Sequence, residues 1–194
     1  MATLQHKYSL WLSPPKHSPA HASIQSLIAQ FSTAPDSPVF PPHLTLFSPV
    51  RTDSDAAAIE QVQFYVAKLR ERQLSQIPIE IRKVASGSKF YQCIMLEVGG
   101  VHEDAVRSAN TIAREHWDAT GQPNYYPHVS LVYRECTAEQ REQLKEAVEM
   151  AMPANIGSLA YVADEVRIIE TVGLCNEWRD IGSISLATGQ HSAA

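Results

Sequence analysis

The chain is poor in the features that mark metal ribbons, membrane spans and polyanion binding. Its three cysteines, Cys93, Cys136 and Cys175, form no CxxC pair, so the sequence offers no zinc ribbon and no redox motif. An odd count of separated cysteines fits a reducing compartment. No apolar run approaches the roughly 18 residues of a bilayer-spanning helix. The opening MATLQHKYSLWLSPPKHS lacks the apolar core and cleavage site of a secretory signal. The expected location is cytoplasmic. Lys and Arg never run beyond two in a row and the formal net charge is −5, whereas holders of long nucleic acids usually present a basic face. These absences favour a small ligand over a long polyanion, with no membrane partner.

What is present is an interleaved pattern of strands and helices. Residues 7–12 alternate as a strand. Ser18-Pro19 reads as a helix start, followed by Ile24, Leu27, Ile28 and Phe31 at helical spacing. Residues 33–42 carry four prolines and predict a loop that leads into His43. Asp53 or Ser54 opens a second helix, with Ile59, Val62, Val66 and Leu69 as its stripe. Residues 77–85 predict a strand, Ser86-Gly87-Ser88 a turn and 90–98 a return strand. A third helix is expected over about 102–117. Residues 118–127 then form a loop before His128, and Thr137 with Gln140 has the capping-box spacing of a fourth helix. Two β-rich segments near 157–170 and 173–187 close the chain. Each half thus repeats a helix, a Pro-bearing loop and a His-bearing strand. One α+β domain of two similar lobes is expected over residues 1–187, with 188–194 as a disordered tail.

The repeat is sharpest in two phrases, PPHLTLFSP at 41–49 and YPHVSLVYR at 126–134. A bare His-x-Ser/Thr triplet carries little weight, because about one is expected by chance at this composition. Three occur, but His21-Ala22-Ser23 lacks the preceding Pro and the following apolar run. The other two share both. In a strand, residues i and i+2 face one way, about 6.6 Å apart. His43 therefore projects with Thr45, and His128 with Ser130. A lone strand histidine is more often a packing residue; burial gives no reason to repeat Pro, hydroxyl and β-run together. Two imidazoles and two hydroxyls in one cleft suit phosphodiester hydrolysis. One His takes a proton from water and the other protonates the leaving oxygen. The hydroxyls hydrogen-bond the non-bridging phosphate oxygens. No metal or other cofactor is required.

The two phrases resemble the H-x-T/S signatures of the two-histidine (2H) phosphoesterase superfamily. YSLWLSP, FPPHLTLFSPV, KFYQCIMLEV and YYPHVSLVY are most similar to the cyclic phosphodiesterases of fungi and plants. The resemblance implies a bilobal fold of pseudo-twofold-related lobes, each an antiparallel sheet flanked by helices, with the active site between them. It implies that His43, Thr45, His128 and Ser130 are the catalytic tetrad. It further implies hydrolysis of ADP-ribose 1″,2″-cyclic phosphate and nucleoside 2′,3′-cyclic phosphates to 2′-phosphates. The alternative within the superfamily is an RNA-end 2′,3′-cyclic or 2′–5′ phosphodiesterase or ligase-like enzyme. The expected partner is a small cyclic nucleotide and the expected state a monomer. His128 is assigned as base and His43 as acid.

Other residues weigh less. Tyr133 follows Ser130 by three, so alternation puts it on the opposite face unless a bulge or the strand end re-aims it. Resemblance to a tyrosine near the site in plant members favours a ligand contact. Tyr91 is a candidate to stack a base, and Tyr125 and Tyr126 could line the cleft mouth; Tyr91, Tyr126 and Tyr133 are the proposed substrate contacts. Phe90 and Trp11 read as core. Lys89 and Arg82 could attract phosphate or stay solvated. His17 and His21 have helical spacing but too few companions for a metal.

Overall fold

The computed structural model describes residues 6–121 and 123–194. Local signals set most element starts. Helix α1 (Pro19–Phe31) begins where the Ser18 hydroxyl accepts the His21 backbone N–H at 3.1 Å, with Pro19 in the first turn where a missing N–H is harmless. Helix α2 (Asp55–Glu71) is capped by Ser54, and α3 spans Glu103–His116. Helix α4 (Ala138–Ala151) carries the reciprocal Thr137–Gln140 capping box. Each buries one stripe. In α2 this includes Ala58, Val62, Tyr65, Val66 and Leu69. Full burial of a Val or Leu is worth about 1.5–3 kcal/mol.

Strands β1 (His6–Leu12), β2 (Leu44–Thr52), β4 (Ile81–Ser86), β5 (Ile94–Val98), β6 (His128–Val132), β8 (Glu165–Glu170), β9 (Arg179–Ser185) and β10 (His191–Ser192) form one sheet in the order β10-β9-β8-β1-β2-β6-β5-β4. The described strand pairs are all antiparallel. Strands β3 (Ile77–Ile79) and β7 (Tyr161–Ala163) pair separately. The α+β class is as expected, with a refinement. The sheets of the two lobes are continuous through a narrow seam, where Leu44 of β2 pairs with Val129 of β6.

The repeated units exchange helices across that seam. Helix α1 precedes β2 in sequence but packs on β6; α3 precedes β6 but packs on β2. Helix α2 packs on β2, β8 and β9, and α4 on β4 and β5. Each lobe therefore mixes both halves of the chain. Buried polar groups lock the exchange: Asn110 of α3 donates to the Leu46 carbonyl at 2.7 Å, and the Tyr65 hydroxyl to the Ala109 carbonyl at 2.9 Å.

Three sequence expectations change. The predicted strand 77–85 is broken at Glu80, so its first part joins β7 and its second the main sheet. Residues 90–92, expected to begin the return strand, form a tight 3₁₀ turn, and β5 starts at Ile94. The Gln92 carbonyl accepts the Gly87 N–H at 2.8 Å, which closes this turn on itself. His191 and Ser192, expected in a disordered tail, pair with Ile184 and Ser183 at the sheet edge.

Candidate active site

The seam positions the site. Leu44 and Val129 are paired and fully buried, facing the core. Antiparallel register then sets His43 across from Ser130 and Thr45 across from His128, on the opposite face. Directly opposed residues have Cβ atoms about 4.5–5.5 Å apart. All four line one cavity of about 350 Å³.

The proline in each phrase has a local role. His43 Nδ1–H donates to the Pro41 carbonyl at 2.7 Å, and His128 Nδ1–H to the Tyr126 carbonyl at 2.7 Å. The residue between, Pro42 or Pro127, has a fixed φ and no competing N–H, which holds the carbonyl two residues back within reach of the ring. Each bond fixes the tautomer, so Nε2 is the nitrogen left for chemistry in both rings.

The two imidazoles differ in surroundings. His43 is 2% exposed and stacks on Trp11, with ring centroids 3.5 Å apart and planes 8° from parallel. Burial pushes its pKa down to about 4; the Pro41 carbonyl opposes this, and nearby His128 adds to it. His128 is half-buried, and its pKa is lowered by burial against the opposing Tyr126 carbonyl. The hydroxyls differ too. Ser130 donates to the Tyr91 carbonyl at 3.0 Å. Thr45 is half-buried, and the Tyr125 hydroxyl donates to its backbone carbonyl at 2.8 Å.

Tyr133 reaches the cavity because β6 is bulged: Ile94 and Met95 of β5 pair with Val132 and Ser130, so two steps on β6 face one on β5. Its buried hydroxyl lies 3.4 Å from His43 Nε2, and burial raises its pKa, keeping it a donor. Tyr91 lines the cavity with its ring 54% exposed. Tyr126 does not; its hydroxyl donates to Glu97 at 2.6 Å, outside the lining. Tyr125 is a brace on β2 rather than a cleft wall. Trp11, expected in the core, is buried yet lines the cavity. Arg82 pairs with Glu97 at 3.6 Å, and neither it nor Lys89 lines the cavity.

Besides Ser48 of β2 and Gln92 of the 3₁₀ turn, sequence reasoning missed Ser9, Thr171, Gly173 and Trp178 in the lining. Ser9 shares a face of β1 with Trp11 and accepts its indole N–H at 2.9 Å, so strand alternation held that signal. Thr171, Gly173 and Trp178 sit on the β8–β9 loop, where nothing in the sequence marks them. Among the described residues, His6, Asp55 and Glu170 come close enough to share a cation. Arg179 already occupies that cluster, donating to Asp55 at 2.7 and 2.9 Å and to Glu170 at 2.7 and 3.0 Å. The donor set is thus neutralised by a guanidinium and fits an ion-pair clasp.

Comparison with known proteins agrees with this geometry. Residues 7–186 match the family model described as cyclic phosphodiesterase-like protein. The cyclic phosphodiesterase of Arabidopsis thaliana is 23% identical over 189 residues, covering 87% of this chain and 94% of that protein. The 2′,3′-cyclic-nucleotide 3′-phosphodiesterase of Saccharomyces cerevisiae is 29% identical over 152 residues, covering 64% of each chain. The structure of E. coli LigT complexed with 3′-AMP superposes with a TM-score of 0.59 at 13% identity, covering 95% of this chain and 99% of that one, a likeness of fold. The match across nearly the whole chain and the paired His phrases at the seam lead to one conclusion: this chain belongs to the cyclic phosphodiesterase-like family of 2H phosphoesterases, enzymes that hydrolyse cyclic phosphodiesters.

Proposed function

We propose that the chain opens nucleoside 2′,3′-cyclic phosphates to 2′-phosphates, and ADP-ribose 1″,2″-cyclic phosphate to the corresponding ADP-ribose monophosphate, using His43 and His128 as base and acid without a metal. The observation that carries this reading is the pair of imidazoles, each held at Nδ1 by a backbone carbonyl, that line one cavity. The name of the yeast relative, which specifies the 3′ bond, supports a 2′-phosphate product.

In the proposed step one imidazole takes a proton from water as its oxygen forms a bond to phosphorus. With a nucleoside 2′,3′-cyclic phosphate the P–O3′ bond breaks in line, and the other imidazolium gives its proton to O3′. The stronger burial of His43 favours it as the base and the less depressed His128 as the acid, the reverse of the assignment expected from sequence. Thr45 donates to a non-bridging oxygen. Ser130 does so only on releasing the Tyr91 carbonyl, since a hydroxyl has one proton. Tyr133, at 3.4 Å from His43 Nε2, must yield that lone pair before the ring accepts a proton from water.

Product analysis after incubation with 2′,3′-cyclic AMP in EDTA tests the reading. Expected is 2′-AMP at an undiminished rate. No turnover, a 3′-AMP product, or loss of activity in EDTA would overturn it.

A further inference from the structure

A second cavity, of about 490 Å³, adjoins the catalytic one. Tyr91 and Gly173 line both, so the two share a wall. Its walls come from the loop before β2, the Phe90–Tyr91 turn and the β8–β9 loop. Val39, Tyr91 and Leu174 remain 53%, 54% and 71% exposed around it. Contiguous exposed apolar surface of this kind marks a binding site rather than ordinary surface scatter. Its size and apolar lining match small-ligand pockets, which span about 300–1,000 Å³.

Two polar groups give it direction. The Asn176 side chain makes no hydrogen bond among the described residues. Among the described residues, the Asp36 carboxylate meets only Arg134, at 3.8 Å. A carboxylate in the wall repels phosphate but accepts from an exocyclic amine. An amide is the side chain that pairs bidentately with adenine N6 and N7, and aromatic or apolar faces are what bases stack on. Lys89, exposed, two residues before Tyr91 and without an ion pair among the described residues, can meet a linking phosphate.

We propose that this annex is a subsite for a nucleobase, adenine foremost, that sits not on the ribose carrying the cyclic phosphate but on a neighbouring ribose joined to it through phosphate. The proposal rests on the cyclic phosphodiesterase reading of the adjoining cavity. Tyr91 is the wedge between the two: its carbonyl holds Ser130 and its ring packs edge-on to Tyr133 at 5.1 Å, while also facing the annex. The same chemistry occurs in ADP-ribose 1″,2″-cyclic phosphate and in an RNA 2′,3′-cyclic end preceded by adenosine.

The test is steady-state kinetics of the full chain and of Leu174→Asp and Asn176→Ala. The substrates are 2′,3′-cyclic AMP, ADP-ribose 1″,2″-cyclic phosphate and a diadenosine ending in a 2′,3′-cyclic phosphate. Expected is a KM raised about tenfold in Leu174→Asp for an extended substrate, the usual scale of a lost base contact. The kcat/KM for 2′,3′-cyclic AMP should stay within about twofold, because Leu174 is outside the catalytic cavity. Whichever extended substrate responds identifies the source. Unchanged KM values for both, or a parallel loss with the mononucleotide, would overturn the annex. Calorimetric Kd values for 2′-AMP and diadenosine 2′-phosphate separate the two readings. Affinity for the longer product that depends on Leu174, without turnover, sustains the annex and condemns only the catalytic reading.

Discussion

The two His phrases are nearly identical as text and unequal as sites. In both, the carbonyl two residues before the His, Pro41 or Tyr126, accepts the Nδ1–H at 2.7 Å, and alternation sets a hydroxyl beside the imidazole. Beyond that they diverge. His43 lies sealed under Trp11 and Tyr133, while His128 is half-buried beside Tyr126, whose ring centroid is 5.8 Å away. Ser130 spends its proton on the Tyr91 carbonyl, and the Thr45 hydroxyl makes no hydrogen bond among the described residues. The repeat supplies matched parts, and the unequal walls give them different proton affinities. Under the proposed acid–base mechanism, that inequality biases which imidazole takes the proton and which gives it.

The largest expected effect comes from breaking either half. His43→Ala and His128→Ala should each lower kcat by about 10²- to 10⁴-fold with the far-UV circular dichroism unchanged. Near-normal rates in both would end the symmetric tetrad.

Stability should carry the mark of one phrase more than the other. His43 has a folded pKa of about 4, below the ordinary value of about 6.5. Between these values the unfolded chain binds more protons, so stability is full above the upper one and falls as pH drops toward the lower. The loss attributable to His43 is on the order of 3 kcal/mol. Denaturant titrations across this window should show it, and His43→Phe should flatten it.

The hydroxyls should differ next. Thr45→Ala should cost about 10²-fold in kcat/KM, the scale of one lost donor to a developing charge. Ser130→Ala should cost less, roughly tenfold, since its proton is already engaged. Equal losses would show that Ser130 releases Tyr91 freely. Trp11→Ala sharpens the acid–base assignment. Opening His43 to water should move its pKa up toward 6.5. If His43 is the base, the acidic limb of kcat/KM moves up with it while the basic limb stays. The smallest effect lies away from the cleft: Arg179 is half-exposed, so Arg179→Ala should cost under about 1 kcal/mol in chemical denaturation.

Much of the fold was legible because its signals are short-ranged. Ser18-Pro19, Ser54 and Thr137–Gln140 mark helix starts within a few residues of where the caps form. The 77–85 stretch misled because its alternation serves two different sheets, and a period of two does not say which partner a strand will find. Strict alternation would turn Tyr133 away from the cleft, and the bulge in β6, one of the two exceptions the sequence reading allowed, brings it in. Cys93 and Cys136, 43 residues apart, bring their thiols to 3.5 Å, which no spacing rule announces.

By itself the sequence determined the paired tautomer-fixed imidazoles and their neighbouring hydroxyls, since proline φ and strand alternation act over two or three residues. Only the tertiary structure decided that α1 and α3 trade partners across the seam, that Trp178 and Gly173 join the lining, and that His43 loses its water while His128 keeps part of it. The physical reason is that desolvation and cross-strand neighbours come from residues distant in the chain, so identical phrases acquire different chemistry from what is packed against them.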